Sequence, residues 1–362
     1  MQNKANKNIL KVTPYVGGKP IEEVKREFGL KSVIKLASNE NPYPPSPKVL
    51  KAIAVAAKSV NRYPDGGCFE LRREVARRLK VEPAQLVFGC GSDEVIVLLL
   101  RAFIEEGDEV VLAKPSFLVY SIASSSGGAK LVEVPLKGLR YDLPAMKKAV
   151  TGRTKVVFIG NPDNPSGQYP TKGEVAEFLN GFPQDVLVFF DEAYFEFTRG
   201  ASDYTDTLAL LKSRKNVIVA RTFSKIFGLA GLRVGYAVAS PEVADLMNRA
   251  REPFNVTSLG QSAALAALKD SGYYRKILKV LNREREVVCQ GLKKAGIEFS
   301  KGSTNFIQVR VPRNAREVAF ELLKKGVIVR DMSAWGLDSY IRVTIGTPAE
   351  NKRFLKALKE VL

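Results

Sequence analysis

The sequence predicts an α/β protein: a large domain built on a mainly parallel sheet covered by helices, plus a smaller α+β domain. Short continuous apolar runs such as Lys155-Val-Val-Phe-Ile159 and Val186-Leu-Val-Phe-Phe190 alternate with helical spacings, as strands buried on both faces do. Each run ends in a polar or glycine-rich turn. The last third differs, with long helical patterns followed by short strands. The large domain is expected over 45–250, and the small one over 1–44 together with 251–362.

In chain order, a polar start precedes a helix from Ile21 to Phe28, punctuated by Gly29. Ile34-Lys-Leu-Ala37 reads as a short strand, and the proline-rich Asn39–Pro47 as a loop. Lys48–Ser59 and Phe69–Leu79 have helical spacing, separated by the turn Tyr63-Pro-Asp-Gly-Gly67. Gln85–Phe88 leads into Gly89-Cys-Gly-Ser-Asp93 and a helix over Glu94–Phe103. Glu109–Leu112 leads into Lys114-Pro-Ser-Phe117, Lys155–Ile159 into Gly160–Gly167, Val186–Phe190 into Asp191–Tyr194, and Asn216–Ala220 into a segment around Lys225. Helical patterns then cover Pro241–Arg251 and Ser258 to Leu292. Strands follow at Asn305–Val309 and Ile341–Thr344, with helices at Arg316–Lys325 and Ala349–Leu362.

Composition narrows the function classes. No apolar run has the ~18 residues of a membrane span, and the start lacks a signal-peptide pattern. Cys68, Cys90 and Cys289 are scattered, which fits packing roles in a reducing cytoplasm. The 56 Lys and Arg against 38 acids give a net charge of +18, but they are dispersed over polar faces. A solvated surface is expected, with no nucleic-acid partner and no room for a DNA-binding domain beside this fold. The chain has no histidine, so acid–base steps must use other side chains, and no metal site is expected.

The polar residues that could carry chemistry collect at the ends of the apolar runs, where open α/β sheets bind ligands. Lys225 stands beside Thr222 and Ser224, with Arg233 eight positions on. A lysine among donors for a phosphate dianion is what fixes a phosphorylated aldehyde, which makes pyridoxal phosphate the candidate cofactor. Asp191 ends an apolar strand, where a carboxylate is costly unless paired; it either caps the next turn or keeps a pyridine nitrogen protonated. Tyr194 and Asn161 could donate to the ring oxygen. Gly91-Ser92-Asp93 opens a helix whose N–H groups either meet phosphate or are simply capped. Phe117 either packs in the core or stacks on the ring. Arg233 has an ordinary surface ion pair as its alternative.

Asn161-Pro-Asp-Asn-Pro-Ser-Gly167, Asp191-Glu-Ala-Tyr194 and Ser224-Lys225, in this order, resemble the fold-type I pyridoxal-phosphate aminotransferases over essentially the whole chain. The resemblance implies that Lys225 is the Schiff-base lysine, that Asp191 pairs with the ring nitrogen, and that Asn161 and Tyr194 hold the ring oxygen. It places Ser92, Asp93, Thr222, Ser224 and Arg233 around the phosphate. Tyr63, in Arg62-Tyr-Pro-Asp65, matches a tyrosine lent across a homodimer interface to the partner's phosphate.

Further pieces, among them Leu36-Ala-Ser-Asn-Glu-Asn-Pro42, Lys114-Pro-Ser-Phe-Leu-Val-Tyr120, Gly326-Val-Ile-Val-Arg-Asp331 and Tyr340-Ile-Arg-Val-Thr-Ile-Gly346, are similar to the histidinol-phosphate aminotransferase family. That likeness implies a cytoplasmic enzyme of histidine biosynthesis moving an amino group from L-histidinol phosphate to 2-oxoglutarate. Arg342 then grips a substrate carboxylate and Arg330 lies near the substrate phosphate, an interdomain salt bridge being the alternative for Arg330. Tyr15 and Asn39 match residues that close over the substrate. Thr257 departs from the family, which has asparagine there. An aromatic amino-acid aminotransferase and a threonine-phosphate decarboxylase of the same fold remain open alternatives.

Overall fold

The computed structural model describes residues 4–362; the first three residues of the polar start lie outside them. The strands, in chain order, are β1 (Ile34–Lys35), β2 (Leu86–Cys90), β3 (Glu109–Lys114), β4 (Lys130–Pro135), β5 (Thr154–Gly160), β6 (Leu187–Asp191) and β7 (Val217–Thr222). After them come β8 (Val234–Val238), β9 (Phe299–Ser300), β10 (Phe306–Arg310), β11 (Val327–Ile328), β12 (Arg330–Asp331) and β13 (Tyr340–Thr344).

The main sheet has seven strands in the order β2-β8-β7-β6-β5-β3-β4. Every pairing within it is parallel except those of β8, which runs antiparallel to both β2 and β7. The expected mainly parallel sheet is therefore present. β2, β3, β5, β6 and β7 all deliver their carboxyl ends to one edge, and β8 starts there, so Arg233 reaches the same edge. Apolar clusters cover both faces: Val87, Leu112, Phe158 and Phe189 on one, Val111, Val157, Val188 and Val219 on the other. This explains the unbroken apolar runs.

The smaller sheet, β12-β13-β10-β9, is antiparallel and comes from the last third of the chain. The N-terminal segment lies against it: β1 pairs with β11 in a separate two-stranded sheet, and Thr344 N–H of β13 bonds to Leu36 O at 2.8 Å. Helix starts follow local chemistry. Ser46 and Ser240 cap helices that begin with proline, and Thr171–Glu174 and Thr347–Glu350 form reciprocal capping boxes. Gly29, at φ 64°, ends the Ile21–Phe28 helix in the left-handed conformation.

The structure corrects four expectations. β8 lies hidden inside the lysine segment, because Val234-Gly-Tyr-Ala-Val238 reads as that segment's tail. β4 is an edge strand whose Lys130-Leu-Val-Glu-Val-Pro135 lacks a continuous apolar run. The Ser258–Leu292 pattern is two helices, Ser258–Lys269 and Ser271–Lys294, broken at Asp270. Cys90 is exposed and has no packing role, unlike the buried Cys68 and Cys289.

Candidate active site

The sheet register brings the candidate residues together. Gly160 pairs with Asp191 and Asp191 with Ala220, so Asn161, Asp191 and the start of the lysine turn are lateral neighbours. Asn161 N–H bonds to Asp191 O at 2.8 Å.

Asp191 is buried, and burial pushes its carboxyl up to about 6. Two donors work against that rise: the Tyr120 hydroxyl at 2.7 Å and the Ala193 N–H at 3.0 Å. Tyr120 stacks on Phe158, with ring centroids 4.6 Å apart, and Phe117 meets Tyr120 edge-on at 5.5 Å. Phe117, half-buried at the start of the Leu118–Ser126 helix, thus packs beside the carboxylate's own donor. Tyr120 was not among the expected site residues. Its signal was available: it lies three positions after Phe117, on the same face of that helix.

Lys225 is half-buried, with Nζ 5.5 Å from the centre of the Tyr194 ring. The turn holding it is tied by Ser224 N–H to Thr222 Oγ1 at 3.1 Å and by Gly228 N–H to Lys225 O at 3.0 Å. Tyr194 is buried, and its hydroxyl accepts from Asn39 Nδ2 at 2.9 Å. Asn39 is itself fixed by Thr344 and Asn305 from the smaller sheet, and its φ of 56° suits an asparagine. The N-terminal segment therefore reaches the catalytic tyrosine candidate through one amide.

Arg233 donates to Asp93 at 2.9 Å, so the expected alternative of an ion pair exists, but at the mouth of a helix. Its guanidinium lies where a side chain on Gly91 would be, and Gly235 abuts Ser92 N just as closely. Glycine at 91 and 235 is what lets the first turn of the Gly91–Phe103 helix, with Ser92 and Asp93, pack against Arg233 and β8.

Arg330 and Arg342 stand opposite each other on β12 and β13. Both are buried, and neither has a carboxylate within salt-bridge distance among the described residues. The salt-bridge alternative for Arg330 is therefore not found. Arg330 donates to Val16 O at 2.8 Å and lies over the exposed Tyr15 ring. Arg342 donates to Ala37 O at 3.1 Å and to Asn164 Oδ1. The Nε atoms of both arginines and Asn161 Oδ1 are buried without hydrogen-bond partners. Burial pulls the Arg342 guanidinium down from its ordinary value, and the neighbouring Arg330 charge adds to this.

A second layer, not anticipated, holds the strand ends. Glu192 is buried and accepts from Arg221 at 2.7 Å, from Thr207 at 2.8 Å and from Tyr204 at 3.0 Å. The same Tyr204 hydroxyl lies 2.9 Å from Asn161 O, so its one proton is shared between that carbonyl and Glu192. Asp163, pushed up to about 6 by burial, accepts from Tyr141 at 2.9 Å. Tyr63 lies apart from these residues' contacts, 83% exposed and stacked on Phe254 at 4.8 Å. Thr257 caps the Ser258–Lys269 helix.

The family model described as "Aminotransferase class I and II" matches residues 31–358. A histidinol-phosphate aminotransferase of Moorella thermoacetica is 45% identical, over 99% of this chain and 93% of its own length. Histidinol-phosphate aminotransferase 2 of Carboxydothermus hydrogenoformans is also 45% identical, over 100% of this chain and 99% of its own. The crystal structure of histidinol-phosphate aminotransferase from Sinorhizobium meliloti, in complex with pyridoxal-5'-phosphate, superposes with a TM-score of 0.90 at 30% identity, covering 99% of this chain and 97% of that one. With that fold and those strand-end residues in place, the chain belongs to the class I and II aminotransferases and, within them, to the histidinol-phosphate aminotransferase family.

Proposed function

We infer that the chain is a pyridoxal-phosphate-dependent aminotransferase. It moves the amino group of L-histidinol phosphate to 2-oxoglutarate, yielding imidazole-acetol phosphate and L-glutamate in histidine biosynthesis. The observation that carries the substrate side is the arginine pair: two buried guanidiniums, Arg330 and Arg342, with free Nε atoms and no carboxylate partner among the described residues. The donor carries a phosphate ester and the acceptor two carboxylates, so both substrates present anions to such forks.

The residues present also fit the cofactor. A buried carboxyl raised to about 6 suits a cationic ring nitrogen, which would restore its ionised form. The buried Asn161 amide, whose Nδ2 gives one N–H to Thr205 O at 3.2 Å and keeps a second to donate, and the Tyr194 hydroxyl suit a ring oxygen, and Phe117 suits the ring face. The Gly91–Phe103 helix start, Ser92, Asp93, Thr222, Ser224 and Arg233 suit a phosphate. When bound, pyridoxal phosphate supplies an aldehyde that captures amines and a ring that draws electrons from the substrate carbon. Lys225 Nζ anchors the resting cofactor and then carries the proton taken from the substrate carbon. Asp191 holds the positive charge at the ring nitrogen, kept in place by Tyr120 and the Ala193 N–H. Tyr194, oriented by Asn39, donates at the ring oxygen. Arg330 and Arg342 orient the substrates, and Tyr15 flanks Arg330 where it can cover the entrance.

A donor panel tests this reading: L-histidinol phosphate, phenylalanine, tyrosine and threonine phosphate, each with 2-oxoglutarate, assayed for glutamate and for carbon dioxide. Histidinol phosphate is expected to have the highest kcat/KM. In Arg330→Gln its kcat/KM should fall by about 30- to 100-fold, with a much smaller loss for phenylalanine, as loss of a charged hydrogen-bond partner requires. An equal loss for both donors, or carbon dioxide without glutamate, would overturn it.

A homodimer in which Tyr63 serves the partner's phosphate completes the proposal, supported by the protruding Tyr63–Phe254 stack. Mixed Tyr63→Ala and Lys225→Ala subunits should regain up to about a quarter of wild-type activity, because a mixed two-fold dimer keeps one intact site. No recovery would remove the shared site. Two buried and one exposed free cysteine suit a reducing cytoplasm, the proposed compartment, which cell fractionation checks.

A further inference from the structure

Trp335 is the single tryptophan of the chain and sits in the short turn Ser333–Trp335 between β12 and β13. It is buried, and its indole N–H donates to Ser116 O at 2.9 Å, on the loop that follows β3 and leads to Phe117. The Arg330 guanidinium carbon lies 5.1 Å from the indole ring and that of Arg342 lies 5.7 Å from it. Each arginine has one further ring: Tyr15 at 5.6 Å for Arg330 and Phe306 at 5.2 Å for Arg342.

Two neighbouring buried cations repel each other and need something to fix their planes. A carboxylate would do so but would also neutralise them. An aromatic face attracts a guanidinium through the ring quadrupole while leaving its charge and its N–H fork for a ligand. Fork geometry matters because a bidentate anion contact tolerates little tilt. Among the described residues the indole is the one ring within range of both guanidiniums, and Ser116 ties it to the strand end beside Phe117. Packing does not supply the tie everywhere: a cavity of about 240 Å³ lined by Pro115, Leu118, Ser121 and Ala334 borders the same indole.

We propose that Trp335 is the positioning residue common to both anion-binding arginines, setting affinity for the phosphorylated donor and the dicarboxylate acceptor together. This rests on the reading of Arg330 and Arg342 as anion forks. Holoenzyme carrying Trp335→Leu should show KM raised about tenfold for both L-histidinol phosphate and 2-oxoglutarate, with kcat within about threefold, the scale of a lost buried cation–π contact. Trp335→Phe, which restores a ring face, should return both KM values to within about threefold of wild type.

A second readout does not depend on the variants folding. Excited selectively, wild-type holoenzyme reports only Trp335, and its emission should change saturably with succinate, an unreactive dicarboxylate, and with inorganic phosphate. Unchanged KM values in the leucine variant, a loss confined to kcat, a phenylalanine variant as impaired as leucine, or emission unmoved by both anions would each overturn the proposal. Arg330→Gln and Arg342→Gln run in parallel separate the two ideas. If these leave both KM values unchanged, the anion-fork reading fails whatever Trp335 does.

Discussion

Lys225→Ala should lose the visible absorbance band of lysine-bound cofactor and about a millionfold in turnover, the scale reached when one residue serves as both nucleophile and proton carrier. The position of this lysine explains why no neighbour can substitute. β7 ends at Thr222, and the turn is closed by Ser224 N–H on Thr222 Oγ1 and by Gly228 N–H on the Lys225 carbonyl. That turn holds the lysine stem beside the Tyr194 ring, while Arg233 is committed to the Gly91–Phe103 helix start and Asp93. No salt bridge occupies Lys225 among the described residues, so its amine is available. Cofactor should still bind through its phosphate and ring contacts, with lower affinity, and added methylamine should restore a measurable fraction of turnover by replacing the missing amine. Retention of the absorbance band with turnover within tenfold of wild type would remove Lys225 from the mechanism and the proposed chemistry with it.

How far this was legible in the sequence depended on whether a signal was local. The strand ends were legible because each parallel strand carries its own apolar run and its own polar terminus, as at Ile159-Gly160-Asn161 or Phe190-Asp191. β8 was not, since its Val234-Gly-Tyr-Ala-Val238 follows the lysine turn without punctuation and its antiparallel placement beside β2 depends on the contact between Gly235 and Ser92. The break at Asp270 was hidden for a related reason: apolar residues keep a helical period on both sides of it. Arg330 and Arg342 could be singled out by resemblance, but not their surroundings. Trp335, Phe306 and Ser116 come from separate stretches and meet only when β12, β13 and β10 form their sheet and dock against β3. The Glu192–Arg221–Tyr204 network was invisible for the same reason, although a second carboxylate directly after a buried Asp191 was a local hint that another cation was needed there.

Asp191→Asn should lower kcat by about three orders of magnitude while leaving the cofactor bound. Removing the charged partner of a buried cation costs about 3–5 kcal/mol, and each decade in rate is about 1.36 kcal/mol. The asparagine is nearly the same size; its one carbonyl oxygen can still accept from the Ala193 N–H, and its NH2 group can donate to the Tyr120 hydroxyl oxygen in place of the bond that Tyr120 gave, so packing is kept while the charge is lost. Tyr120→Phe separates a further contribution. The Tyr120 hydroxyl, 2.7 Å from Asp191, stabilises the ionised carboxylate and holds down a pKa that burial raises to about 6. Without it the Asp191 pKa rises further, so more of the carboxyl is protonated at a given pH. The acid limb of the pH–rate profile should therefore move to higher pH, with kcat recovering as pH increases. Asp191→Asn has no such carboxyl to titrate, and its loss should persist across the range. Turnover within tenfold of wild type in the asparagine variant would leave Asp191 as a mere cap of the turn at Ala193. An unmoved acid limb in the phenylalanine variant would mean that Tyr120 only packs, and that the Ala193 N–H and the Lys225 charge set the ionisation at the end of β6 without it.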